Sequence, residues 1–505
     1  STDSNQKMEL KTRVDWPHNI KNQTFIEKIN LDKGLNNIEY DINIDPVICW
    51  DCDNPNLYEI EINLIYDENI YDVFHKKVGM RDISIEGNRI LLNGKPLYIR
   101  GLLHWGYYPE LISPNPDREM IKQEINKVKS MGFNMIKHCL YIPSKDYYEL
   151  ADEMGLLLWQ ELPMWLPAVT DKFKERSIRE YQKIMEQIHD HPSIIIYTLG
   201  CELDSTVDEK FLGNLYEIAK SYSMGALITD NSGSGECYDG HITNYSDFYD
   251  YHFYAELQYI ESLMEVFTPS ARKMKPWLYG EFCDYDTFTD RRQIIEENNG
   301  EIPWWLSKSP DRNPQYDRCL HYNGIKLPLV DQEDIMAEED YVRENIERIK
   351  EVSYKQGLIN RKFTVEAARS FPELSGYNIT VIRDSHLSGS GIFDYKMRPK
   401  FNADDFKLFN DDVVLCLSWD LTRQWKNGGD RPAYNDRYNY WSGQSVRPHI
   451  IISNFSSENI EYPQIDIKVT DEENKIIYES RIKSEEIIKS GEVKEAVIFN
   501  FTELF

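Results

Sequence analysis

The sequence has 505 residues, a hydrophobic fraction of 41% and a formal net charge of −28 at pH 7. The length suggests several domains, and the negative charge argues against nucleic acid as a partner, because phosphate backbones are bound by basic surfaces. No apolar run approaches the roughly 18–20 residues that a membrane-spanning helix needs, so we expect no membrane span.

The eight cysteines have no spacing that is typical of a disulfide framework or a zinc site. Cys49 and Cys52 form a C-x-x-C pair, but neither a second pair nor two histidines complete a metal site. We therefore predict mostly free thiols and no metal ion.

Apolar and polar residues alternate in short runs over residues 1–80, as in 26–31 and 57–62. This period of two, interrupted by Asn, Asp and Gly, predicts an antiparallel β-sandwich. A similar alternation over 405–505 predicts a second β domain at the end of the chain.

Short apolar runs alternate with helical periodicity over residues 81–404. Asn115-Pro116 is typical of a helix start with Pro at the first position, and Gly155 is typical of a helix end. Strands that alternate with helices indicate a parallel sheet, and eight strands indicate a closed (β/α)₈ barrel. The predicted strands are 97–103, 133–136, 156–159, 194–199, 226–229, 248–253, 277–279 and 376–382.

A long segment near 285–340, rich in Trp, Pro, Asn and Asp, follows the seventh predicted strand. It should overhang the carboxyl end of the barrel. Long loops are often functional lids, and a packing insert explains the composition equally well.

Glutamates end two strands on opposite sides of the predicted barrel. The fourth strand runs into Glu202 and the seventh into Glu281. Catalytic groups of such barrels lie at the carboxyl ends of the strands. Two carboxylates are what glycosidic bond cleavage requires, one to attack the anomeric carbon and one to exchange protons. Spacing alone leaves other chemistries open, because one barrel fold hosts many reactions.

Several motifs together resemble glycoside hydrolase family 2. Residues 191–202, HPSIIIYTLGCE, resemble the strand that carries the family's acid/base, and 275–282, KPWLYGEF, resemble its nucleophile strand. Residues 148–161 are similar to its second helix and third strand, closest to the β-mannosidase-like branch. Residues 50–58, 79–101 and 366–400 resemble the domain before the barrel, the entry into the barrel and its exit.

The resemblance covers residues from about 40 to 400. It implies an immunoglobulin-like sandwich over 1–80 and a (β/α)₈ catalytic barrel over 81–404. It also implies a retaining mechanism, with Glu202 as acid/base, Glu281 as nucleophile, and no cofactor. The family's usual N-terminal jelly-roll domain has no counterpart in this sequence, so we expect either that the chain is a fragment or that this domain is absent. An oligo- or polysaccharide is the expected substrate, and the oligomeric state is left open.

Three positions depart from the family pattern. Cys201 stands where the family has an Asn that contacts the sugar 2-hydroxyl, Thr380 stands where it has a bulky Trp, and Lys137 stands where it has an Arg. A thiol is a weak hydrogen-bonding group, whereas contacts to the 2-hydroxyl strengthen in the transition state. We therefore predict an unusual or substituted sugar, bound partly by these three residues.

Other candidates for substrate binding lie near the strand ends. His252 and Tyr254 are expected to hold Glu281, and aromatic residues after the first and third strands are candidate sugar platforms. A packing role is the alternative for each of them. The remaining candidates are His104, Trp105, Glu161 and Trp165.

A polar Gly/Ser loop over 230–238 follows the fifth strand. It lacks the Lys of a phosphate-binding loop. We interpret it as a tight turn in preference to part of the sugar site.

An alternative function is a non-hydrolytic carbohydrate-binding or scaffold protein on a degenerate barrel, which the changes at Cys201 and Thr380 would suit. Retention of both glutamates favours the enzyme. Because the polar stretch 1–7 looks trimmed, we expect a periplasmic or secreted bacterial enzyme in preference to a cytoplasmic one.

Overall fold

The computed structural model describes residues 5–111, 113–233, 245–267, 274–307, 309–313, 340–385, 388–419, 423–426, 429–432, 443 and 446–499. Residues 234–238 of the Gly/Ser loop and 314–339 of the long segment lie outside the described residues.

The chain begins with a four-stranded antiparallel sheet in the order β2-β1-β3-β4. A smaller antiparallel sheet of three short strands follows it and leads into the barrel. The strands are β1 (Gln6–Asp15), β2 (Asn22–Leu31), β3 (Tyr58–Tyr66), β4 (Asn69–Val78), β5 (Ile83–Glu86), β6 (Arg89–Leu92) and β7 (Lys95–Leu97).

Eight parallel strands form the barrel, as predicted. They are β8 (Ile99–His104), β9 (Met135–His138), β10 (Leu157–Glu161), β11 (Ile194–Thr198), β12 (Leu227–Thr229), β13 (Tyr249–Phe253), β14 (Trp277–Phe282) and β15 (Leu374–Ile379). They pair in the order β12-β11-β10-β9-β8-β15-β14-β13. The segment before β13 links it to β12, since the Asp247 amide donates to the Ile228 carbonyl at 2.8 Å.

Helices α1 to α4 follow strands β8 to β11 in turn, and α5 follows β13. Helices α6 and α7 lie between β14 and β15. They are α1 (Arg118–Ser130), α2 (Lys145–Met154), α3 (Asp171–Ile188), α4 (Glu209–Tyr222), α5 (Ile260–Phe267), α6 (Arg291–Glu297), α7 (Asp340–Arg369) and α8 (Ala403–Lys407). Short 3₁₀ helices lie at Pro17–Asn19, Leu257–Tyr259 and Trp304–Leu306. In the described part of the chain, no helix is long and apolar enough to cross a membrane.

Gly155 ends α2 in the left-handed region at φ 67°, as predicted. The predicted start of α1 at Pro116 is wrong. The helix begins at Arg118, because the Asp117 side chain accepts a hydrogen bond from the Met120 amide at 2.9 Å. An Asp at that position satisfies an otherwise unpaired helical donor, which a Pro cannot do.

The barrel has different surroundings at its two ends. Its lower interior is apolar, with Met135, Leu157 and Leu278 packed in one buried cluster. Ile83 and Ile90 of the small sheet belong to the same cluster, so that sheet covers the amino-terminal end of the barrel. The open end is therefore the one at which the strands terminate.

The C-terminal region consists of short antiparallel sheets, as predicted. Its strands are β16 (Val413–Trp419), β17 (Arg423–Lys426), β18 (Gly429–Pro432), β19 (Pro448–Asn454), β20 (Ile460–Glu461), β21 (Gln464–Thr470), β22 (Ile476–Lys483), β23 (Ile487–Ile488) and β24 (Glu492–Ile498). The domain limits at 80 and 404 stay predictions.

Candidate active site

Glu202 lies four residues beyond the end of β11, in the left-handed region at φ 48°. Such a conformation costs on the order of 1–3 kcal/mol for a residue other than glycine and is concentrated at functional sites. The backbone holds it in place, since the Glu202 amide donates to the Ser232 carbonyl at 2.8 Å. Its side chain receives two hydrogen bonds, from His252 Nδ1 at 2.8 Å and from Trp165 Nε1 at 3.0 Å.

Glu281 lies on β14 at a β-bulge. Along the neighbouring β13, Tyr251 pairs with Tyr279, whereas the next residue, His252, pairs with Glu281. The extra residue is Gly280, where any side chain would collide with the Asp250 carboxylate, 2.2 Å from an added Cβ. Bulges of this kind re-aim side chains next to active sites.

The Tyr254 hydroxyl fixes the orientation of Glu281. It lies 2.8 Å from Glu281 Oε2 and 2.9 Å from Thr380 Oγ1. The small side chain at Thr380 therefore contributes a hydroxyl contact to the tyrosine that holds Glu281.

His252 joins the two carboxylates. Its Nδ1 lies 2.8 Å from Glu202 Oε1 and 3.6 Å from Glu281 Oε2. Both glutamates remain partly accessible, with side-chain exposures of 17% and 13%. The predicted pair thus converges on one partly open point at the barrel mouth.

A buried polar network lies beneath the pair. Lys137 Nζ contacts Glu161 Oε2 at 2.9 Å and Ser232 Oγ at 2.7 Å. Ser232 Oγ in turn donates to Asp250 Oδ2 at 2.7 Å. Burial alone would lower the pKa of Lys137, but the carboxylate of Glu161 raises it well above its ordinary value. Lys137 is therefore a permanent cation inside the barrel.

The network assigns the proton on His252. Lys137 can only donate to Ser232, and the Ser232 hydroxyl donates its hydrogen to Asp250 Oδ2. His252 Nε2, 3.0 Å from the same hydroxyl oxygen, must then carry a hydrogen and donate it. Nδ1 is left to share a single proton with Glu202.

The neighbours of Glu202 lower its pKa. Burial acts to raise the pKa, but the hydrogen bonds from His252 and Trp165 outweigh it. Both donors stabilise the charged carboxylate. The free site therefore favours the charged form of Glu202.

Cys201 is held rigidly beside Glu202. Isolated β-bridges join its backbone to Trp165 on one side and to Ser232 on the other, and the residue is only 3% exposed. A hydrogen bond to the thiol of Cys139 and burial raise the pKa of Cys201 well above its ordinary value. The position offers a neutral thiol where the family pattern has an amide.

The remaining predicted site residues divide into two groups. Trp105, Trp165 and Tyr254 are 41%, 43% and 47% exposed, as a platform for a ligand requires. His104 is not brought to the glutamate pair. It is fully buried on the helix-facing side of β8, 3.2 Å from Glu124 of α1. The described contacts of His104 do not include either glutamate of the pair, and its role in substrate binding stays a prediction.

The long segment after β14 does not supply a described tryptophan to the pair. Trp305 is buried and packs against Tyr395, with ring centroids 6.0 Å apart. Trp304 is 52% exposed.

Sequence reasoning missed Ser232 and Asp250. Ser232 lies in the loop interpreted as a tight turn, and Asp250 lies in a strand between two tyrosines. A carboxylate inside an apolar strand was the available signal, because its parity places it in the barrel interior. Nothing in the sequence indicates that Ser232 contacts Lys137, Asp250 and His252 together.

Two family models match the chain. "Glycosyl hydrolases family 2, TIM barrel domain" matches residues 83–289, and "Glycosyl hydrolases family 2" matches residues 1–81. The chain belongs to glycoside hydrolase family 2. The family assignment and the barrel with flanking β domains agree with the sequence-based predictions.

Two curated proteins are similar to parts of this chain. A β-galactosidase of Thermoanaerobacterium thermosulfurigenes is 30% identical over 177 residues, which is 35% of this chain and 24% of that protein. A putative β-glucuronidase of Formosa agariphila is 26% identical over 240 residues, 41% of this chain and 29% of that protein. The matches therefore span less than a third of these relatives' length.

Solved family structures share the fold. A β-D-mannosidase from Dictyoglomus thermophilum covers 100% of this chain and 60% of its own, with a TM-score of 0.65 and 13% identity. A β-galacturonidase from Eisenbergiella tayi, bound to galacturonate, covers 80% of this chain and 67% of its own, with a TM-score of 0.57 and 18% identity.

Proposed function

We propose that this family 2 chain is a retaining β-glycoside hydrolase in which Glu281 is the nucleophile and Glu202 the acid/base. The observation that supports this most directly is the shared contact to His252. Contacts of 2.8 Å and 3.6 Å to one nitrogen keep the two nearest carboxylate oxygens within about 6.4 Å of each other. Retaining enzymes separate the two groups by roughly 5–5.5 Å, and inverting enzymes by roughly 6.5–9.5 Å.

The two steps follow from this geometry. A Glu281 oxygen attacks the anomeric carbon while the glycosidic bond breaks, and the leaving oxygen takes the proton that Glu202 carries. Glu202 then removes a proton from water, whose oxygen attacks the glycosyl ester and releases Glu281. The Tyr254 hydroxyl holds one Glu281 oxygen, so the other is directed to the sugar.

The shared proton explains how a carboxyl with a lowered pKa can act as an acid. In the resting site the proton lies mainly on His252. An aglycone that covers Glu202 weakens the charged form by excluding water. The proton then transfers within the 2.8 Å hydrogen bond from Nδ1 to Glu202 Oε1, where the leaving oxygen needs it.

We infer an atypical sugar specificity from the walls of the site. Cys201 offers a weakly bonding thiol, and Thr380 makes its described contact to Tyr254 rather than forming an aromatic floor. Lys137 is fully buried and paired with Glu161, so it does not serve as a free cation for an acidic sugar. The relatives are named for different sugars, so their names do not decide the specificity.

A panel of nitrophenyl β-glycosides tests the reaction and the specificity. We expect low activity on plain hexosides and retention of the β configuration in the product. Strong activity on an unsubstituted galactoside, glucuronide or mannoside would contradict the atypical specificity. An α-configured first product would contradict the retaining mechanism.

The E202Q variant tests the acid/base role. It should lose most of its activity on aglycones that need protonation, by about 10²–10⁴-fold, and keep most of the first step on dinitrophenyl glycosides. Equal loss on both classes would contradict the assignment.

The thiol at Cys201 favours one alternative, a carbohydrate-binding protein without hydrolysis. In that case calorimetry would detect oligosaccharide binding while no glycoside of the panel is cleaved.

A further inference from the structure

We propose that Cys201, Glu202 and His252 bind a thiophilic divalent cation of the zinc class. One ligand atom from each residue, a thiol sulfur, a carboxylate oxygen and a ring nitrogen, lies within 4.8 Å of the others. Among the described residues, these three are the group of His, Cys, Asp or Glu side chains that lies close enough together to hold a metal ion. The sequence spacing predicted no metal site, because the ligands come from two distant strands.

A bound metal would require the three ligand atoms to move slightly closer together. Zinc binds sulfur at about 2.3 Å and nitrogen or oxygen at about 2.0–2.2 Å. In a tetrahedral site the ligand atoms then lie roughly 3–4 Å apart. A bound cation would draw these atoms closer than the present limit of 4.8 Å, and three protein ligands leave the fourth position to water or another group.

The histidine is already oriented as a ligand. Its Nε2 hydrogen points to Ser232, and the Ser232 hydroxyl donates to Asp250 at 2.7 Å. Histidines that bind metals generally donate their second ring hydrogen to a carboxylate, carbonyl or water, which fixes the ring. Nδ1 of His252 is then the atom that would bind the cation. The cation would displace the proton that Nδ1 shares with Glu202.

The ligand set selects the class of metal. Sulfur and imidazole favour zinc and related ions over magnesium or calcium, which prefer oxygen. The Glu281 carboxylate, 3.6 Å from His252 Nδ1, adds negative charge that favours a cation. On binding the cation the neutral thiol of Cys201 would release its proton to solvent and act as a thiolate, which the amide of the family pattern could not do.

The cation would control the proposed hydrolysis. A metal bound to Glu202 and His252 occupies the acid/base and displaces the proton that the leaving group needs. We therefore expect inhibition by zinc that a chelator reverses. This consequence depends on the proposed function, whereas metal binding itself does not.

Cobalt titration of the metal-free full chain tests the site directly. Co²⁺ bound to a thiolate gives a near-ultraviolet charge-transfer band, and added Zn²⁺ should abolish the band by displacing cobalt. We expect C201S and C201N to weaken cobalt binding by at least about tenfold and to lose the band. The control C49S removes an exposed thiol and should leave the band unchanged.

The outcomes separate the two proposals. No band in the wild-type chain, a band that survives in both Cys201 variants, or a band lost in C49S would overturn the metal site. If C201S does not fold, C201N, which restores the family's residue, decides the matter. A cobalt band in a chain that cleaves no glycoside would support the site and contradict the hydrolase. Zinc-insensitive hydrolysis without a band would do the opposite.

Discussion

The barrel interior changes from apolar to ionic between two successive inward-facing residues of a strand. On β10, Leu157 and Trp159 belong to the apolar lower cluster, and Glu161, the next inward residue, is ionic. On β9 the same change occurs between Met135 and Lys137. The Trp159 ring forms the boundary, with Lys137 Nζ 4.8 Å from its centroid. The apolar lower half thus contributes mainly to stability, and the ionic upper half carries the proposed catalytic residues. Substitutions can be made in each half separately.

The largest effect is expected at the upper end, from E281Q. Removal of the nucleophile should lower kcat by at least about 10⁴-fold, because no other group can form the glycosyl ester. Thermal unfolding should change little, since Glu281 is partly exposed. Residual activity within tenfold of the parent would assign the nucleophile elsewhere.

The buried cation should matter for stability even though it lies in the upper half. K137M removes the cation that pairs with Glu161 and should cost about 3–5 kcal/mol in urea unfolding. The double variant K137M/E161Q removes both members of the ion pair and should recover part of the loss. A double variant as unstable as K137M would show that the ion pair is not the cause.

The lower half is tested by L278A. Leu278 is fully buried, so the change should cost about 3 kcal/mol of unfolding free energy through lost burial and a cavity. Values of kcat and KM measured below the unfolding transition should stay within about twofold. A larger loss of kcat would mean that the two halves are coupled.

The pH profile tests how His252 acts on Glu202. A general acid must be protonated, so the rate falls as the pH rises through its pKa. Because His252 lowers the pKa of Glu202, H252Q should move this alkaline limb to higher pH. H252N keeps a donor near the Nδ1 position and should move it less. A limb that moves to lower pH in H252Q would contradict the assignment.

The smallest effect is expected for W165F. It removes one hydrogen bond to Glu202 but keeps an aromatic ring, at a side chain that is 43% exposed. The alkaline limb of kcat/KM should move upward by less than in H252Q. If the W165F shift exceeds that of H252Q, Trp165 and not His252 is the main control of Glu202.

Short apolar runs between helical segments were sufficient to predict the eight barrel strands, because a parallel strand such as β11 is buried on both faces and is apolar over most of its length. These runs could not predict the start of α1, where the side chain of Asp117 rather than Pro116 decides the first turn. The positions of Glu202 and Glu281 followed from strand ends and motifs. The Lys137, Ser232 and Asp250 contacts did not, because each joins residues from different strands whose approach depends on barrel closure.

The extra residue at Gly280 changes how β14 presents its side chains. In a regular strand, inward and outward positions alternate. Here both Gly280 and Glu281 lie toward the barrel interior, while Tyr279 and Phe282 pack in the outer cluster. Deletion of Gly280 would restore strict alternation and leave the glutamate facing inward, but it would remove the bulge that re-aims the strand at this point. Loss of the bulge alone should therefore misalign the proposed nucleophile without changing its identity.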